Sequence, residues 1–473
     1  MPVIIIVADG ARPDVLNDAI DRGIVPALQT MRDEGGMYTV TTAFPSVTGP
    51  AYTPFLMGRF PGPVGLPGLR WYDRTRERIK VPGNSRSYVG PEMRLVDGDL
   101  DPDAPTMFEL TRSSLAALNV IGRGLPPDRR IGNSLWFAMK TGKTHFTGDV
   151  QGWLDIDRRV AAEVAKKIRA CRPDFVFAAL TGVDKTSHSR GHAGPHVDSA
   201  LRIVNDLVTE IRVDADARGS WKEHHVWIVS DHGHSPVEQH ENLAGLVGEL
   251  GFRTIAHPFV FSTRGEAAVM VSGNAMAHIY LDLQQRSRPL LSKLGSRWRS
   301  IQSALLSRDS VDLMIVPGDR GECEVHGSRG RGHAMLRWTA AAIDYVPVSG
   351  DPIGVGEQRG LTPDESYDLT IDSDYPDSLL QIARLSDSPR SGEIILSASR
   401  DWDFRSKYEP IPHVSSHGAL HREHMIVPLL TNKPMPLRPR RTVDVMPSAL
   451  EALGLTVPAG LDGQSFFTAD GRT

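Results

Sequence analysis

Aspartate and histidine residues stand just beyond short apolar runs at three places in this chain of 473 residues. The five side chains are Asp9, Asp184, His188, Asp231 and His232. Carboxylates and imidazoles are the groups that hold zinc and related divalent ions in hydrolytic enzymes. Two such ions can stabilise both the entering and the leaving oxygen of a displacement reaction. The residue types therefore predict a hydrolytic site with two metal ions.

Apolar, β-branched runs predict the buried strands that would bring these side chains together. The runs are Val3 to Val7, Asp174 to Leu180 and His225 to Val229. Helical patterns over Val160 to Ala170 and Val197 to Arg212 precede the second and third runs. This alternation predicts an α/β fold, a mostly parallel central sheet with helices on both faces. Because ligands bind beyond the carboxyl ends of such strands, we expect the five side chains to meet at one rim of the sheet.

Each of these residues also has an ordinary structural explanation. An aspartate after a strand, such as Asp9, commonly caps a helix or begins a turn. The pair Asp231-His232 is also typical of surface turns, and His188 alone could be a buried structural histidine. The metal interpretation is favoured because three predicted strand ends carry such residues jointly. Four more histidines lack this placement and are expected to surround the site or lie on the surface: His192, His196, His234 and His240.

The attacking oxygen of such a site would come from a hydroxyl-rich segment, residues 41–56, which reads TTAFPSVTGPAYTPFL. A short helix is predicted from Ala51 to Met57. A hydroxyl near its N-terminus would benefit from the positive end of the helix dipole and from free backbone N–H donors. Ser46, Thr48 and Thr53 are the competing candidates, and Thr48 could equally be a helix cap without chemistry.

Composition limits the partners of the protein. With 53 Lys and Arg against 57 Asp and Glu, the formal charge is -4, so charge gives no reason to expect a nucleic acid polymer or a membrane as partner. Cys171 and Cys323 form neither a disulfide framework nor a metal-type spacing. No apolar run approaches the roughly 18 residues of a membrane span, and the start lacks signal-peptide features. We expect a cytoplasmic protein, although a chain trimmed of a signal peptide would look the same.

The length exceeds that of a single core and predicts more than one domain. We assign residues 1–238 and 411–473 to the metal-binding core, with a helix predicted from Thr442 to Leu455. Residues 239–410 are predicted to form an inserted, smaller α+β cap that governs substrate choice. Short alternating pieces within it, Ala277 to Leu281 and Glu393 to Leu396, are predicted strands.

Five motifs of the chain resemble those of the alkaline phosphatase superfamily, and most closely its nucleotide pyrophosphatase/phosphodiesterase branch. They read VADGARPDVL, AFPSVTGPAYTPFLMGRFPGPVG, TGVDKTSHSRGHAGP, VSDHGHSP and SSHGALHREHMIVPLL. The resemblance covers about residues 1–72, 174–236 and 411–465 in the family's order. It implies Thr48 as the nucleophile. It also ranks His417 first as a ligand, ahead of its neighbours His413, His421 and His424.

The resemblance further implies how the ligands are divided between the two ions. One ion would be held by Asp184, His188 and His417. The other would be held by a second set of residues: Asp9, Asp231, His232 and the Thr48 alkoxide. The mixed oxygen and nitrogen donors favour zinc, with manganese or iron as the alternative. Two divalent ions against three carboxylates leave positive charge that suits a small phosphate ester, cleaved through a phosphothreonine-type intermediate.

The chain departs from this branch in the stretch Gly68 to Asp73. The relatives place an Asn shortly before a Tyr-Asp pair, whereas Leu69 stands near that position here. Arg70 and Tyr72 are the candidate substrate contacts, with Arg70 able to bind a phosphoryl oxygen pair. A phosphodiester or pyrophosphate bond remains the favoured target. Phosphonate hydrolysis of the phosphonoacetate type and phosphomonoester hydrolysis stay open, and a metal-binding protein without catalysis is the contrasting class.

Overall fold

A computed structural model of the chain describes residues 1–76, 83–257, 264–405, 409 and 411–468. Pro410 and residues 469–473, at predicted domain ends, lie outside the described residues. The strands, in chain order, are β1 Val3–Ala8, β2 Met37–Thr41, β3 Arg70–Tyr72, β4 Ser85–Ser87, β5 Ser114–Ala117, β6 Arg130–Ile131, β7 Phe175–Leu180, β8 His225–Val229, β9 Ser235–His240, β10 Thr254–Ala256, β11 Ala267–Ser272, β12 Met276–Tyr280, β13 Val311–Pro317, β14 Glu322–Gly327, β15 Gly332–Trp338, β16 Ile343–Gly350, β17 Gln358–Leu361, β18 Ile394–Ala398, β19 Asp401–Asp403, β20 Ser415–Ser416 and β21 Ile426–Thr431.

The helices are numbered in the same way. They are α1 Pro13–Asp21, α2 Pro26–Gly35, α3 Thr53–Met57, α4 Val96–Asp99, α5 Met107–Leu110, α6 Leu135–Thr147, α7 Val150–Cys171, α8 Gly182–Arg190, α9 Pro195–Asp216, α10 Leu243–Glu249, α11 Ser296–Leu306, α12 Pro363–Thr370, α13 Ser378–Ser386, α14 Arg422–Met425 and α15 Val445–Ala452.

A central sheet has the strand order β2-β21-β8-β1-β7-β5-β6. The strand β1 pairs in parallel with both β7 and β8, whereas β21 runs antiparallel to its neighbours β8 and β2. Every residue of β1 is buried, and alternate residues enter two different hydrophobic cores. This two-sided burial explains the continuous apolar run. The predicted mostly parallel α/β sheet is confirmed.

Helices cover both faces of this sheet. Residues of α1, α2, α7 and α9 pack in one core, and residues of α3 and α15 pack in the other. The two long predicted helices are shorter than the observed helices α7 and α9. In α7, for example, the buried apolar face already begins at Trp153 and Leu154, before the predicted start at Val160. The C-terminal helix, in contrast, is shorter in the structure than predicted, since a 3-10 turn occupies Thr442–Asp444 before α15.

A second sheet lies within the stretch predicted to be inserted. Its order is β10-β11-β12-β18-β13-β14-β15-β16-β17, with antiparallel pairing except between β10 and β11. The two predicted strands correspond to β12 and β18. Its core is continuous with the rest of the chain, because Phe44, Phe60 and Leu420 pack against residues of β13 to β16. The strand β9 crosses the predicted boundary after residue 238, and the domain assignment itself stays a prediction.

None of the helices in the described part of the chain combines the length and the apolar character needed to cross a bilayer.

Candidate metal centre and active site

Three adjacent parallel strands, β8, β1 and β7, deliver the predicted acidic residues to one rim of the central sheet. Asp9 follows β1, Asp231 follows β8, and Asp184 lies in the first turn of α8 after β7. Backbone bonds fix the rim, since the Asp9 N–H donates to the Leu180 carbonyl (3.1 Å) and the Asp184 N–H donates to the Asp9 carbonyl (2.9 Å). All three carboxylates are fully buried. The expected meeting at the strand ends is therefore observed.

Histidine nitrogens approach these carboxylates at short distances. His188 lies one turn after Asp184 in α8, and its Nε2 is 3.1 Å from Asp184 Oδ1. The Nε2 atom of His417 is 3.4 Å from the same oxygen. His232 Nε2 lies 3.3 Å from Asp9 Oδ1 and 3.6 Å from Asp231 Oδ2. The seven predicted site residues, including Thr48, are thus brought together by the fold.

Two overlapping groups of side chains have the spacing needed to hold a metal ion. One comprises Asp184, His188, His234 and His417, and the other comprises Asp9, Asp184 and His232. Within each group, one ligand atom per residue lies within 4.8 Å of the others. Asp184 belongs to both groups, so it lies between the two candidate positions.

The hydrogen bonds of the histidines leave their Nε2 lone pairs available. Nδ1 of His188, His232 and His417 lies 2.9, 3.1 and 2.9 Å from the carbonyls of Ser415, Gly233 and Ser46, respectively. A carbonyl only accepts, so each Nδ1 carries the proton, an assignment made from the hydrogen-bond network. Metal-binding histidines are held in this way by their outer nitrogen.

A cation fits between the nitrogens and the carboxylates. Carboxylate oxygens and unprotonated imidazole nitrogens are both acceptors, so their approach to 3.1–3.6 Å requires a proton or a metal ion between them. Among the described residues, Oδ2 of Asp231 is buried and forms no hydrogen bond. Buried charge of this kind is retained where it is paired or coordinates a metal. The donor set therefore fits two divalent ions.

Burial and neighbouring charges shift the pKa values of the cluster. Burial and the nearby Asp9 raise the pKa of Asp231 to about 8. Burial disfavours the charged form of His232, but Asp231 and Asp9 outweigh it and raise the His232 pKa to about 9. Burial also opposes the charged form of Asp184, yet Lys185 and His188 hold that carboxyl pKa well below its usual range. Without a bound cation, Asp231 and His232 would therefore keep protons at neutral pH.

Thr48 is the candidate hydroxyl that reaches the cluster. Its Oγ1 lies 3.3 Å from Asp9 Oδ1 and 3.1 Å from His232 Nε2. The competing hydroxyls are bound to backbone carbonyls: Ser46 donates to Ala419 (3.0 Å) and Thr53 to Pro50 (2.9 Å). Tertiary position thus separates three hydroxyls that local sequence left equivalent.

The helix predicted after Thr48 is only partly formed. A 3-10 turn at Pro50–Tyr52 precedes the five-residue helix α3. So short a helix supplies little dipole, which corrects the expected source of activation. The turn instead depends on Gly49, whose φ is 98° and whose missing Cβ would lie 2.6 Å from the Tyr88 ring.

His234 was expected to surround the site or lie on the surface, and the structure places it against Asp184. The side chain is fully buried, its Nε2 is 2.9 Å from Asp184 Oδ1, and its Nδ1 is 3.1 Å from Ser415 Oγ. In extended chain, residues two apart share a face, so its separation by Gly233 from His232 was the available signal. The other three histidines of that prediction are partly buried (His192 and His196) or exposed (His240).

The histidines near His417 have other partners. His424 Nε2 lies 2.8 Å from Ser235 Oγ, and His421 Nδ1 lies 3.1 Å from Glu423. The ring of His413 stacks on His188 with centroids 4.1 Å apart. Of the four, His417 is the one whose nitrogen approaches Asp184 in the structure.

The two predicted substrate contacts occupy different environments. Arg70 begins β3 and lines a small cavity together with His257 and Glu409. Its guanidinium forms no hydrogen bond or ion pair with the described residues, and its Nε is buried. Tyr72 is 3 % exposed and packs against Tyr280 with ring centroids 5.8 Å apart. Its position in the core gives the predicted substrate contact no support.

A buried hydrogen-bond network ties the Thr48 segment to helix α13. Gln381 donates to the Thr42 carbonyl (2.9 Å) and accepts from the Phe44 N–H (2.8 Å). The Thr42 hydroxyl then donates to the backbone carbonyl of Asp231. Asp377 also accepts from Gln381 (2.9 Å). One glutamine therefore connects the loop of the candidate nucleophile with a candidate ligand.

The fold and the site together define a class. A mostly parallel α/β sheet with an Asp–His cluster beyond its strand ends is the architecture of alkaline phosphatase-like phosphoester hydrolases. Residues 3–318 match the family described as type I phosphodiesterase/nucleotide pyrophosphatase. The chain belongs to this family, and the predicted resemblance is confirmed.

Solved structures with the same fold include enzymes of two kinds. Phosphonoacetate hydrolase from Sinorhizobium meliloti 1021, in complex with phosphonoacetate, aligns with a TM-score of 0.58 at 17 % identity over 96 % of both chains. An inactive murine ectonucleotide pyrophosphatase/phosphodiesterase 5, in complex with AMP, aligns with a TM-score of 0.57 at 14 % identity over 97 % of this chain and 96 % of that one. Curated protein sequences gave no match.

Proposed function

We propose that the protein is a metal-dependent hydrolase that cleaves a small phosphate ester by attack of Thr48. The observation that carries this proposal is the position of the Thr48 hydroxyl, within 3.3 Å of both a carboxylate and an imidazole of the cluster. Family membership supports a hydrolase, and the contacts of Ser46 and Thr53 leave Thr48 as the accessible hydroxyl.

For the residues that would hold the ions we keep the division that the family resemblance implies, and the two groups of the cluster support it in part. We assign Asp184, His188 and His417 to one ion, and the remaining residues to the other: Asp9, Asp231, His232 and Thr48. Mixed nitrogen and oxygen donors favour zinc, with manganese or iron as alternatives. Bound there, two divalent ions would lower the pKa of the threonine hydroxyl and stabilise charge on the reacting oxygens.

The chain's own groups then have separate tasks in the reaction. The Thr48 hydroxyl releases its proton to water and its oxygen attacks phosphorus in line, while the bond from phosphorus to the leaving oxygen breaks and that oxygen takes a proton from water. The product of this step is a phosphothreonine, which water hydrolyses to restore the hydroxyl. Tyr52 donates to Asp9 Oδ2 (3.2 Å) and orients that carboxylate beside the nucleophile. Division into two displacements replaces one difficult step by two easier ones.

A phosphodiester or pyrophosphate bond is the favoured target, since the chain belongs to a family described by those activities. Phosphonate or phosphomonoester hydrolysis is the second candidate. Leu69 stands where relatives carry an Asn, and the unpaired guanidinium of Arg70 lies next to it. We propose that residues 239–410 contribute to substrate choice. Glu409 of this stretch lines the cavity beside Arg70, and Asn274 donates a hydrogen bond to Glu409.

The decisive experiment compares Thr48→Ala with Ser46→Ala after both variants are loaded with zinc. Each loses one hydroxyl, but only that of Thr48 reaches the cluster. Rates on an aryl phosphate monoester, an aryl phosphate diester and an aryl phosphonate ester would identify the bond. We expect Thr48→Ala to lose at least 1,000-fold in kcat on the best substrate, and Ser46→Ala to retain most activity. Full occupancy by two ions without hydrolysis of any ester by the wild type would refute the proposed function.

We also propose a cytoplasmic location. Both Cys171 and Cys323 are free thiols in the structure, which suits a reducing compartment. Cell fractionation with an antibody to the protein would test this, and recovery in the secreted fraction would contradict it.

A further inference from the structure

A free guanidinium lies close to the candidate metal centre. Arg70 lines a cavity of about 30 Å³ with Glu409. Glu409 Oε2 lies 3.9 Å from Arg405 Nε, whereas Glu409 and Glu92 influence Arg70 only through their charge, without an ion pair. Two buried arginines each have a carboxylate partner, since Arg74 pairs with Glu393 (2.8 Å) and Arg86 pairs with Asp99 (3.0 Å). An unpaired, partly desolvated guanidinium is costly unless a ligand completes its hydrogen bonds.

A chain of contacts leads from this cavity to the metal cluster. Asn274 Nδ2 donates to Glu409 Oε2 (2.9 Å) and to His413 Nδ1 (3.0 Å). The His413 ring in turn stacks on the candidate ligand His188 at 4.1 Å. These contacts therefore connect Glu409, which lines the cavity beside Arg70, with the cluster.

The orientation of Asn274 fixes the proton of His413. The amide nitrogen faces carboxylates of Glu409 and Asp403 (2.9 and 3.4 Å), so it must be the donor end of that side chain. Nδ1 of His413 consequently accepts, and its Nε2 carries the hydrogen in the neutral ring. No described residue accepts a hydrogen bond from that Nε2. A second free donor thus lies between Arg70 and the cluster.

The electrostatic surroundings favour an anion at this position. Burial, together with the nearby charges of Lys185, His188 and Arg70, lowers the pKa of His145 to about 4. The charge of Lys185 is offset by Asp184, to which its Nζ is bonded at 2.6 Å. The charge of Glu409 is in turn offset by Arg405, whose Nε lies 3.9 Å from Glu409 Oε2, so that Arg70 is the positive group in this cavity without an ion pair among the described residues.

We infer that Arg70 and His413 form a second recognition site for an anionic group, a carboxylate or a phosphate, on the organic part of the substrate. Resting on the proposed function, this inference narrows the substrate class to phosphoryl or phosphonyl compounds that carry a further negative charge. Arg70 would bind the two oxygens of that group in a fork, and the N–H of His413 would fix its orientation.

Kinetic specificity tests the inference on the zinc-loaded enzyme. Phenyl, 4-carboxyphenyl and 4-phosphophenyl esters of the most rapidly hydrolysed phosphoryl group are compared by kcat/KM. A charge-assisted hydrogen bond contributes about 1.5–3 kcal/mol, or about 10- to 150-fold. We expect Arg70→Met to lower kcat/KM by that factor for a charged ester and by less than about threefold for the phenyl ester, with Arg70→Lys partly restoring it. The charged ester that shows the loss identifies the group as carboxylate or phosphate.

His413→Phe keeps the ring that stacks on His188 but removes the N–H donor, so a smaller loss on the same charged ester is expected. Arg337→Ala is the matched control, since it removes one positive charge from an exposed arginine already paired with Glu322. Equal losses by Arg70→Met on all three esters, or no loss on any, would overturn the inference while leaving the hydrolase intact.

A binding measurement separates this inference from the proposed reaction. Titration calorimetry on zinc-loaded Thr48→Ala would compare phosphonoacetate, which has a carboxylate, with methylphosphonate, which lacks one. We expect phosphonoacetate to bind at least tenfold more tightly, and the added Arg70→Met change to abolish the difference. If the wild type hydrolyses no ester but this difference is found, the proposed function fails and the recognition site stands. Equal affinities, together with equal rates on the three esters, would refute the site.

Discussion

Filling the cluster with zinc should release protons in unequal amounts at its two positions. In the metal-free protein the pKa of Asp231 is raised to about 8 by burial and Asp9, and that of His232 lies at about 9 because Asp231 and Asp9 outweigh burial. At pH 7 these values correspond to about 0.9 and 1.0 bound protons, respectively. Metal ligands must be deprotonated. The ion held by Asp9, Asp231 and His232 should therefore displace about two protons from Asp231 and His232, besides the proton that Thr48 loses when it binds as the alkoxide.

The other position should behave differently. Lys185 and His188 hold the pKa of Asp184 well below its usual range although burial opposes this, and burial keeps the pKa of His417 well below its ordinary value. Both groups already lack the exchangeable proton at pH 7. An ion bound to them should displace no proton from either.

The size of the effect follows from the pKa values. A pH of 7 lies about one unit below the pKa of Asp231 and about two units below the pKa of His232. Removing both protons at pH 7 therefore costs about 4 kcal/mol at 1.36 kcal/mol per unit. The apparent affinity of that position should rise about 1,000-fold between pH 7 and pH values above 9. Near pH 7 the apparent zinc affinity at this position should rise by almost 100-fold per pH unit.

Titration calorimetry with zinc, in buffers of different ionisation enthalpy, measures the protons released by each ion. When the ion binds to Asp9, Asp231 and His232, the number of protons released by residues 231 and 232 should fall from about two in the wild type to about one in Asp231→Asn. The reason is that the amide has no proton to lose. Equal release by both ions, or release near zero at pH 7, would refute the assignment of bound protons to Asp231 and His232.

Four further outcomes are expected. The contribution of Asp231 and His232 to the free energy of unfolding of the metal-free protein should fall by about 2 kcal/mol from pH 7 to 8, because these groups hold protons in the folded protein that the unfolded chain, with ordinary pKa values, has released; urea denaturation of the wild type and of the double variant Asp231→Asn/His232→Asn measures this contribution as a difference, and a difference that grows in favour of the wild type with rising pH would contradict it. Gln381→Leu should lower the free energy of unfolding by about 3 kcal/mol and also lower kcat, since the Thr42 carbonyl and the Phe44 N–H lose their buried partner; unchanged kcat in folded protein would show that the network does not position the loop. His417→Ala should reduce the bound zinc from two ions to one by elemental analysis, whereas retention of both would exclude it as a ligand. Ser415→Ala should weaken zinc binding by about 10-fold, because Nδ1 of His234 loses its hydroxyl acceptor and His234 then holds the candidate ligand Asp184 less firmly. An unchanged Kd for zinc, measured by competition with a chelator, would argue against this orienting role.

Strand ends were the part of the site that sequence could predict. Asp9, Asp184 and Asp231 follow runs that are buried on both faces, and the position of ligands beyond such strands is a general property of parallel sheets. The helical spacing of His188 from Asp184 was equally readable, since residues four apart share one face of a helix. These are local patterns combined with one rule of topology.

Site residues that do not follow a predicted strand could not be chosen from local patterns. Thr48 and His417 were chosen by family resemblance, because several hydroxyls and histidines stand close to each in sequence. The structure separates them by distance, since Thr48 Oγ1 lies 3.1 Å from His232 while Ser46 bonds to a backbone carbonyl. His234 was placed outside the ligand cluster, although it is as buried as His232 and lies 2.9 Å from Asp184. No local pattern reports which of several polar groups turns inward.

The second sheet shows the same division between local and long-range information. Its strands β12 and β18 were predicted from alternation, yet their neighbours in the sheet are far apart in sequence. Its packing against Phe44 and Leu420 joins segments that are distant in sequence, and the bonds of Gln381 to the Thr48 segment span more than 330 residues.

The sequence by itself determined the α/β class, the rim of the central sheet and five polar side chains placed there, because these follow from periodicity and strand order. Only the tertiary structure decided which hydroxyl faces the cluster, that His234 joins Asp184, and that the Arg70 Nε has no hydrogen-bond partner in the described part of the chain. Those outcomes depend on side-chain directions and on hydrogen bonds between distant segments. They are fixed when the segments pack together, and no single segment encodes them.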